Sequence, residues 1–239
     1  MSDEGKKGTT VGKIPRWEAE LWSYVSEGDG IRCPLHGRCL VTKTGGWCPD
    51  NNRERLNRLL DERKFNFSNY DFIEAEAGHS RHCRLVRLLE TLAGTYLKMG
   101  KVRSPPVSTG LVRLFDRQHT VEVRQLPLKA YHGAIWSQKD GWVIQVKDSD
   151  AAPTMRFTVF HEAFHILAHC RTSPVFRKRG SIVGSFNEWL ADTFAGCILM
   201  PREWIRQKWA EVRDLDRMAE IFAVPKSAMC IRLRQLGLI

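Results

Sequence analysis

Three residue types at fixed spacing in Val159-Phe160-His161-Glu162-Ala163-Phe164-His165 could do chemistry. On an α-helix, residues four apart share a face, so His161 and His165 would project together. Two imidazoles so placed can grip one Zn²⁺, and Glu162 beside them can act as general base on a water that the metal activates. Two histidines leave a catalytic zinc one protein ligand short. Downstream, Asn187-Glu188-Trp189-Leu190-Ala191-Asp192 offers two carboxylates four residues apart. Glu188 could be the third ligand, while Asp192 accepts a hydrogen bond from the free ring N–H of a ligating histidine and fixes its tautomer. A set of imidazoles and a carboxylate also accepts Mn²⁺, so the spacing does not choose the ion. The competing reading is two core histidines and a solvated acidic pair.

These side chains need two helices and a surface beside them. Phe157, Phe160, Phe164 and Leu167 recur at helical spacing around the histidines, and Pro153 suits the first turn, where a missing N–H costs nothing. Phe186, Leu190, Phe194 and Ile198 mark the core side of a second helix, with Arg171 to Gly184 read as the loop between them. Upstream, Val121-Glu122-Val123-Arg124 alternates like a strand. Ala134-Ile135-Trp136, Asp140-Gly141 and Trp142 to Val146 read as a hairpin. An edge strand beside the metal could align an extended peptide by backbone hydrogen bonds. Periodicity does not say which strand lies at the edge.

The N-terminal part reads differently. Residues 1 to 15 are polar and predict disorder; Trp17, Leu21, Trp22 and Val25 predict a short helix. Cys33, His36, Cys39 and Cys48 could close a structural zinc site, with His79, His82 and Cys83 as rival ligands and reduced, inert thiols as the alternative. Helices are expected after Asp50, carrying Leu56, Leu59 and Leu60, and near Leu85 to Leu97 with Arg81, Arg84 and Arg87 at its start. Lys101 to Pro106 cannot continue a helix, because proline restricts itself and its predecessor. The expected layout is therefore a tail and short helix over 1–30, a helical region with the cysteines over 31–104, a catalytic core over 105–205 and a helical extension over 206–239.

That extension, from Leu215 to Gly237, reads as helix, turn, helix. Leu215, Ala219, Phe222 and Val224 would bury the first helix against a second that carries Arg232 and Arg234. Such a hairpin either packs on the core or reads DNA, and so few basic residues favour packing. A net charge of +10 over 239 residues invites an acidic partner, DNA included, but a solvated basic surface explains it equally well. The start lacks an apolar stretch and no apolar run approaches a membrane span, which argues against export and membrane insertion. Seven cysteines, an odd set, fit metal ligands and buried thiols in a reducing cytoplasm better than disulfides.

The two motifs together resemble the ligand arrangement of the glutamate-zincins, of which thermolysin is the familiar example. Arg156-Phe157-Thr158 before the histidines, then Glu188, Ala191-Asp192, Phe194-Ala195 and Leu199-Met200-Pro201, look like the ImmA/IrrE metallopeptidases. The resemblance covers roughly Tyr131 to Ile239 and leaves the cysteine region outside it. It implies an α+β, zincin-like core and bacterial cytoplasmic proteases that cleave a helix-turn-helix repressor, releasing genes of stress response or mobile elements. Carried over, His161, His165 and Glu188 would bind metal and Glu162 would be the base. Tyr131, His132 and His169 are candidates for stabilising the oxyanion. The alternative is a DNA-binding regulator whose metal site senses and does not hydrolyse.

Overall fold

The computed structural model describes residues 14–27, 81–129, 131–169 and 182–239. The cysteine cluster Cys33, His36, Cys39 and Cys48, His79 and the helix expected after Asp50 lie outside these residues. The rest is α+β, as the patterning predicts. Helix α1 (Arg16–Glu27) and helix α2 (Arg81–Met99) come first, followed by a 3₁₀ turn at Thr109–Leu114. Strands β1 (Thr120–Leu126), β2 (Gly133–Gln138) and β3 (Gly141–Lys147) follow, then α3 (Ala152–His169) and α4 (Ile182–Leu199). Helices α5 (Arg202–Val212), α6 (Leu215–Phe222) and α7 (Lys226–Gln235) close the chain.

Strands β2 and β3 form the expected antiparallel hairpin, with Ile135 opposite Ile144. The two-residue turn is Lys139-Asp140, and Gly141 already belongs to β3. Strand β1 then pairs with β3 in parallel, giving the order β1-β3-β2. Alternation alone could not reveal that pairing, because parallel and antiparallel neighbours present the same period of two. Gly141 sits where the two strands close up: a Cβ there would lie 2.4 Å from Thr120 Oγ1 and 2.5 Å from its carbonyl oxygen.

Helix α3 is apolar nearly all round, the mark of a helix with cover on more than one side. Its Val159, Phe160, Ala163, Phe164, Ile166 and Leu167 are buried between the sheet and α4. Helix α4 answers with Leu190, Phe194 and Ile198, all fully buried. It begins at Ile182, inside the 171–184 stretch read as loop. Gly184 read as a loop residue, but glycine weakens a helix most in its interior and less near an end. Behind these helices the aromatic rings interlock: Phe164 lies 5.3 Å from Phe194 and 6.2 Å from Trp22, and Phe115 lies 4.5 Å from Tyr96. Leu21, Leu89 and Leu92 share this hydrophobic core with residues as late as Leu236, so α1 and α2 pack with the helices that follow.

One of the arginines at the start of α2 is paired across to α1 at the surface. Arg84 holds Glu20 of α1 with both Nε and Nη2, at 2.7 and 2.6 Å. The C-terminal segment is the expected helical hairpin, packed on the core through Met218, Phe222, Met229 and Leu233. Leu215, expected in that interface, is only half-buried. Asp214 caps α6 by accepting the Arg217 N–H at 2.7 Å, and Ala223 ends it in the left-handed region at φ 50°. Arg232 is 1% exposed. It donates to the Met200 carbonyl at 3.0 Å and to Glu90 of α2 at 2.7 Å. This arginine is therefore part of the interior and is not presented to a phosphate backbone. Cys197 is a buried thiol that burial pushes up to about 11, so it is inert at neutral pH. No described helix is long and apolar enough to cross a membrane.

Candidate metal centre

Helices α3 and α4 lie side by side, and each contributes one polar strip facing the other. On α3 the i, i+4 spacing sets His161 and His165 on one face, their rings 5.3 Å apart and inclined at 69°. On α4 the same spacing sets Glu188 and Asp192 opposite them. His161 Nε2 lies 3.2 Å from Glu188 Oε2, and His165 Nε2 lies 3.6 Å from Glu188 Oε1. Ligand atoms from all three residues fall within 4.8 Å of one another. Around a tetrahedral zinc with bonds of 2.0–2.1 Å, ligand atoms stand about 3.3 Å apart. The observed spacing suits such an ion, and two imidazoles with one carboxylate form a donor set zinc accepts.

Asp192 works on the far side of the first imidazole. Its Oδ1 is 2.7 Å from His161 Nδ1. A carboxylate can only accept, so Nδ1 carries a proton towards Asp192; Nε2, facing Glu188 and His165, carries the second proton when the ring is charged and a free lone pair when it is neutral. Burial disfavours the charged ring, but Asp192, Glu188 and Glu162 together outweigh it and raise the His161 pKa well above the ordinary imidazole value. The ring therefore sits in a strongly negative environment that favours a cation, whether a proton or a metal.

Glu162 is only 7% exposed, as is His165. Packed directly against Glu162 is β2, an edge strand among the described residues. At Gly133 the strand comes so close that a Cβ would lie 2.4 Å from Thr158 Cγ2 and 2.8 Å from Glu162 Oε1. Glycine is needed there for space, and the position carried no motif that could have announced it; a glycine opening an apolar strand was the only trace. Tyr131 and His132, just before this strand, are exposed at the surface. His132 Nδ1 lies 2.7 Å from Asp150 Oδ2. His169 ends α3, a further turn beyond His165.

The structure thus brings together His161, Glu162, His165, Glu188 and Asp192. It also exposes a charged cluster that no spacing motif announced: Glu90, Arg202 and Arg232, drawn from α2, α5 and α7.

Residues 116–234 match the model of a peptidase family described as the IrrE N-terminal-like domain. The match begins ahead of Tyr131 and takes in β1. No curated protein matches the sequence. Among solved structures, a Mycobacterium tuberculosis transcriptional regulator is similar at 15% identity and a TM-score of 0.48, over 75% of this chain and 50% of its own. This chain therefore matches about half the length of that structure.

Proposed function

The chain belongs to the peptidase family of the IrrE N-terminal-like domain, and from that premise we propose that it is a zinc-dependent endopeptidase acting on a protein substrate. The observation that carries this reading is the single Glu188 carboxylate standing 3.2 and 3.6 Å from two imidazoles, with buried Glu162 alongside. When bound, zinc supplies Lewis acidity, polarising a peptide carbonyl and lowering the pKa of a water towards ~7. His161, His165 and Glu188 hold the ion, with Mn²⁺ the other ion their chemistry accepts. Asp192 keeps the His161 ring oriented through Nδ1–H. Glu162 takes the proton of the attacking water and delivers it to the leaving amine. Strand β2, whose outer edge is unpaired among the described residues, aligns the substrate as an extended chain beside Glu162.

The resemblance to ImmA/IrrE enzymes makes a helix-turn-helix repressor the proposed substrate and the cytoplasm the proposed compartment. Co-expression with repressors encoded beside the gene, followed by mass mapping of fragments, tests the substrate. The burial of Arg232 leaves less basic surface for the alternative, a DNA-binding regulator that senses metal. That alternative would gain from a salt-dependent DNA shift that survives metal removal. For Cys33, His36, Cys39 and Cys48 we propose a second, structural zinc. Unchanged zinc stoichiometry and melting temperature in Cys33→Ser and Cys48→Ser would sink it.

A further inference from the structure

Residues 84–119 carry seven lysines and arginines against two acids, an excess that makes up half of the chain's net charge of +10. Both acids are engaged. Glu90 holds Arg202 and Arg232. Asp116 accepts from the N–H groups of Gln118 and His119 at 2.8 and 3.2 Å, and from the Trp142 indole at 2.9 Å. Of the cations, Arg84 is paired with Glu20. The other six, Arg87, Lys98, Lys101, Arg103, Arg113 and Arg117, are exposed and form no ion pair among the described residues. The fold brings most of them together. Arg87, Thr91, Thr95 and Lys98 follow one another at helical spacing along one face of α2. Gly100, just past that helix, lies so close to Leu111 that no Cβ would fit between them, which sets Lys98 and Lys101 beside Arg113.

A pocket of about 600 Å³ opens among these cations. Leu92, Tyr96, Phe115 and Trp142 form its buried floor, with the Tyr96 and Phe115 rings 4.5 Å apart, and Trp17 of α1 stands at its wall. Thr95 lines it from the basic stripe of α2, and the exposed Met99, Arg117, Gln118, His119 and Gln138 line its mouth. His119 Nδ1 is held by Asp116 at 3.0 Å, which leaves Nε2 as the ring nitrogen for a ligand. Two carboxylates also border the space: Asp116, taken up by the donors named above, and Glu18, which accepts from the Trp22 indole at 3.4 Å. The pocket lies at the turn of the β2–β3 hairpin, whose other end carries Gly133 beside Glu162. None of the described residues lining it belongs to the candidate metal centre.

Aromatic floor, amide-bearing mouth and unpaired cations together suit one ligand chemistry. A flat ring system stacks on the floor, its edge meets the hydrogen-bonding side chains, and an attached anion sits among the cations. A nucleotide combines all three, since every base has a π-face and carries phosphate beside it. Glu18 adds an acceptor that favours bases bearing an amino group, as a carboxylate does with cytosine. An acidic peptide would account for the cations but leave the aromatic pocket without a use. We propose that this pocket is a nucleotide site, with the base inside it and the phosphate on Arg117, Lys98 and their neighbours. The nucleotide is free or is one unit of a single strand; a duplex keeps its bases stacked and does not offer one. This site is separate from the metal centre and does not rest on the peptidase reading.

The experiment uses the zinc-loaded full chain and four probes: AMP, a short single-stranded oligo-dA, the same strand in a duplex, and poly-glutamate. Calorimetry follows AMP and anisotropy follows the labelled polymers, each over a range of salt. AMP and the single strand should both bind. Both should lose about 10-fold in affinity in Thr95→Phe, which fills the pocket. Met99→Glu, at the exposed mouth, sets a like charge against the phosphate and should weaken both without disturbing the buried floor. Arg117→Ala should weaken both and lower the salt slope of the strand by about 0.7. Glu188→Gln alters the metal centre alone and should bind as wild type does. A strand tighter than AMP by about 10-fold or more, with a slope of several phosphates, identifies nucleic acid as the source, and equal affinities identify the free nucleotide. No binding of either, binding unchanged by both Thr95→Phe and Met99→Glu, or binding lost in Glu188→Gln would overturn the site. A duplex bound as tightly as the single strand would overturn it in favour of the DNA-binding regulator, and poly-glutamate bound as tightly would overturn it in favour of an acidic protein partner.

Discussion

Two clusters of charge tie distant parts of this chain together, and they are balanced differently. Between α3 and α4, the carboxylates of Glu162, Glu188 and Asp192 surround two imidazoles. Between α2, α5 and α7, Glu90 meets two guanidinium groups, Arg202 at 3.2 Å and Arg232 at 2.7 Å. The second cluster completes itself. Its spare positive charge falls on the Met200 carbonyl, just past the last turn of α4, where a helix C-terminus carries partial negative charge. The first cluster sets three carboxylates against two imidazoles, so it keeps an excess of negative charge even with His161 protonated, and the raised pKa of that ring follows from that excess. A cluster with an excess of acid can accept a cation; a cluster that supplies its own cations ties helices together.

The largest effect expected from this contrast is catalytic. Glu162→Gln removes the proton acceptor and keeps the three proposed ligands, so hydrolysis should fall by roughly 10²–10⁴-fold while zinc content stays at the wild-type level. Metal analysis and a cleavage assay on the same preparation check it; equal cleavage by the two proteins sinks the assigned base. At the other cluster the expected effect is on folding. Glu90→Ala leaves the Arg232 guanidinium buried without its carboxylate, which typically costs about 3–5 kcal/mol. Denaturant unfolding should show that loss with zinc stoichiometry unchanged. A change below about 1 kcal/mol would mean that the network relaxes onto other partners.

The difference between the clusters also explains what was legible in the sequence. His161 and His165 sit four residues apart on one helix, and Glu188 and Asp192 repeat that interval on another. Local spacing therefore put each pair on a face, and only the meeting of two helices remained to be found. Glu90 is more than a hundred residues from both Arg202 and Arg232 along the chain, and charged residues on helices are usually solvated. Nothing local marked them, and Arg232 read only as a basic residue of a hairpin for which DNA contact was the less favoured alternative. The hairpin of β2 and β3 was visible because a short turn joins its partners. The parallel pairing of β1 with β3 was not, since it depends on a register set by tertiary packing. Gly133 and the aromatic-floored pocket at the hairpin turn belong to the same class: each is a consequence of approach between elements.

A smaller effect tests how the two imidazoles differ. Asp192 fixes the His161 tautomer from outside the ligand set, so Asp192→Asn should weaken zinc binding by roughly 10–100-fold without abolishing it. Titration with a competing chelator measures this. An unchanged affinity would mean that the ring is oriented by packing alone.

The smallest expected effect separates the two clusters most sharply. Glu188 has a side chain 48% exposed, so its contacts to the imidazoles are solvated pairs worth at most about 1 kcal/mol. In metal-free protein, Glu188→Gln removes a carboxylate from an over-acidic site and should change unfolding stability by less than about 1 kcal/mol. Wild type should gain about 2.7 kcal/mol at a zinc concentration a hundredfold above its dissociation constant, whereas the variant at the same concentration should gain much less. Both numbers come from one pair of unfolding curves, with and without zinc. If Glu188→Gln instead destabilised the metal-free protein by as much as Glu90→Ala does, the α3–α4 cluster would be a structural ion network like its counterpart, and the division between a cluster that awaits a cation and one that does not would fail.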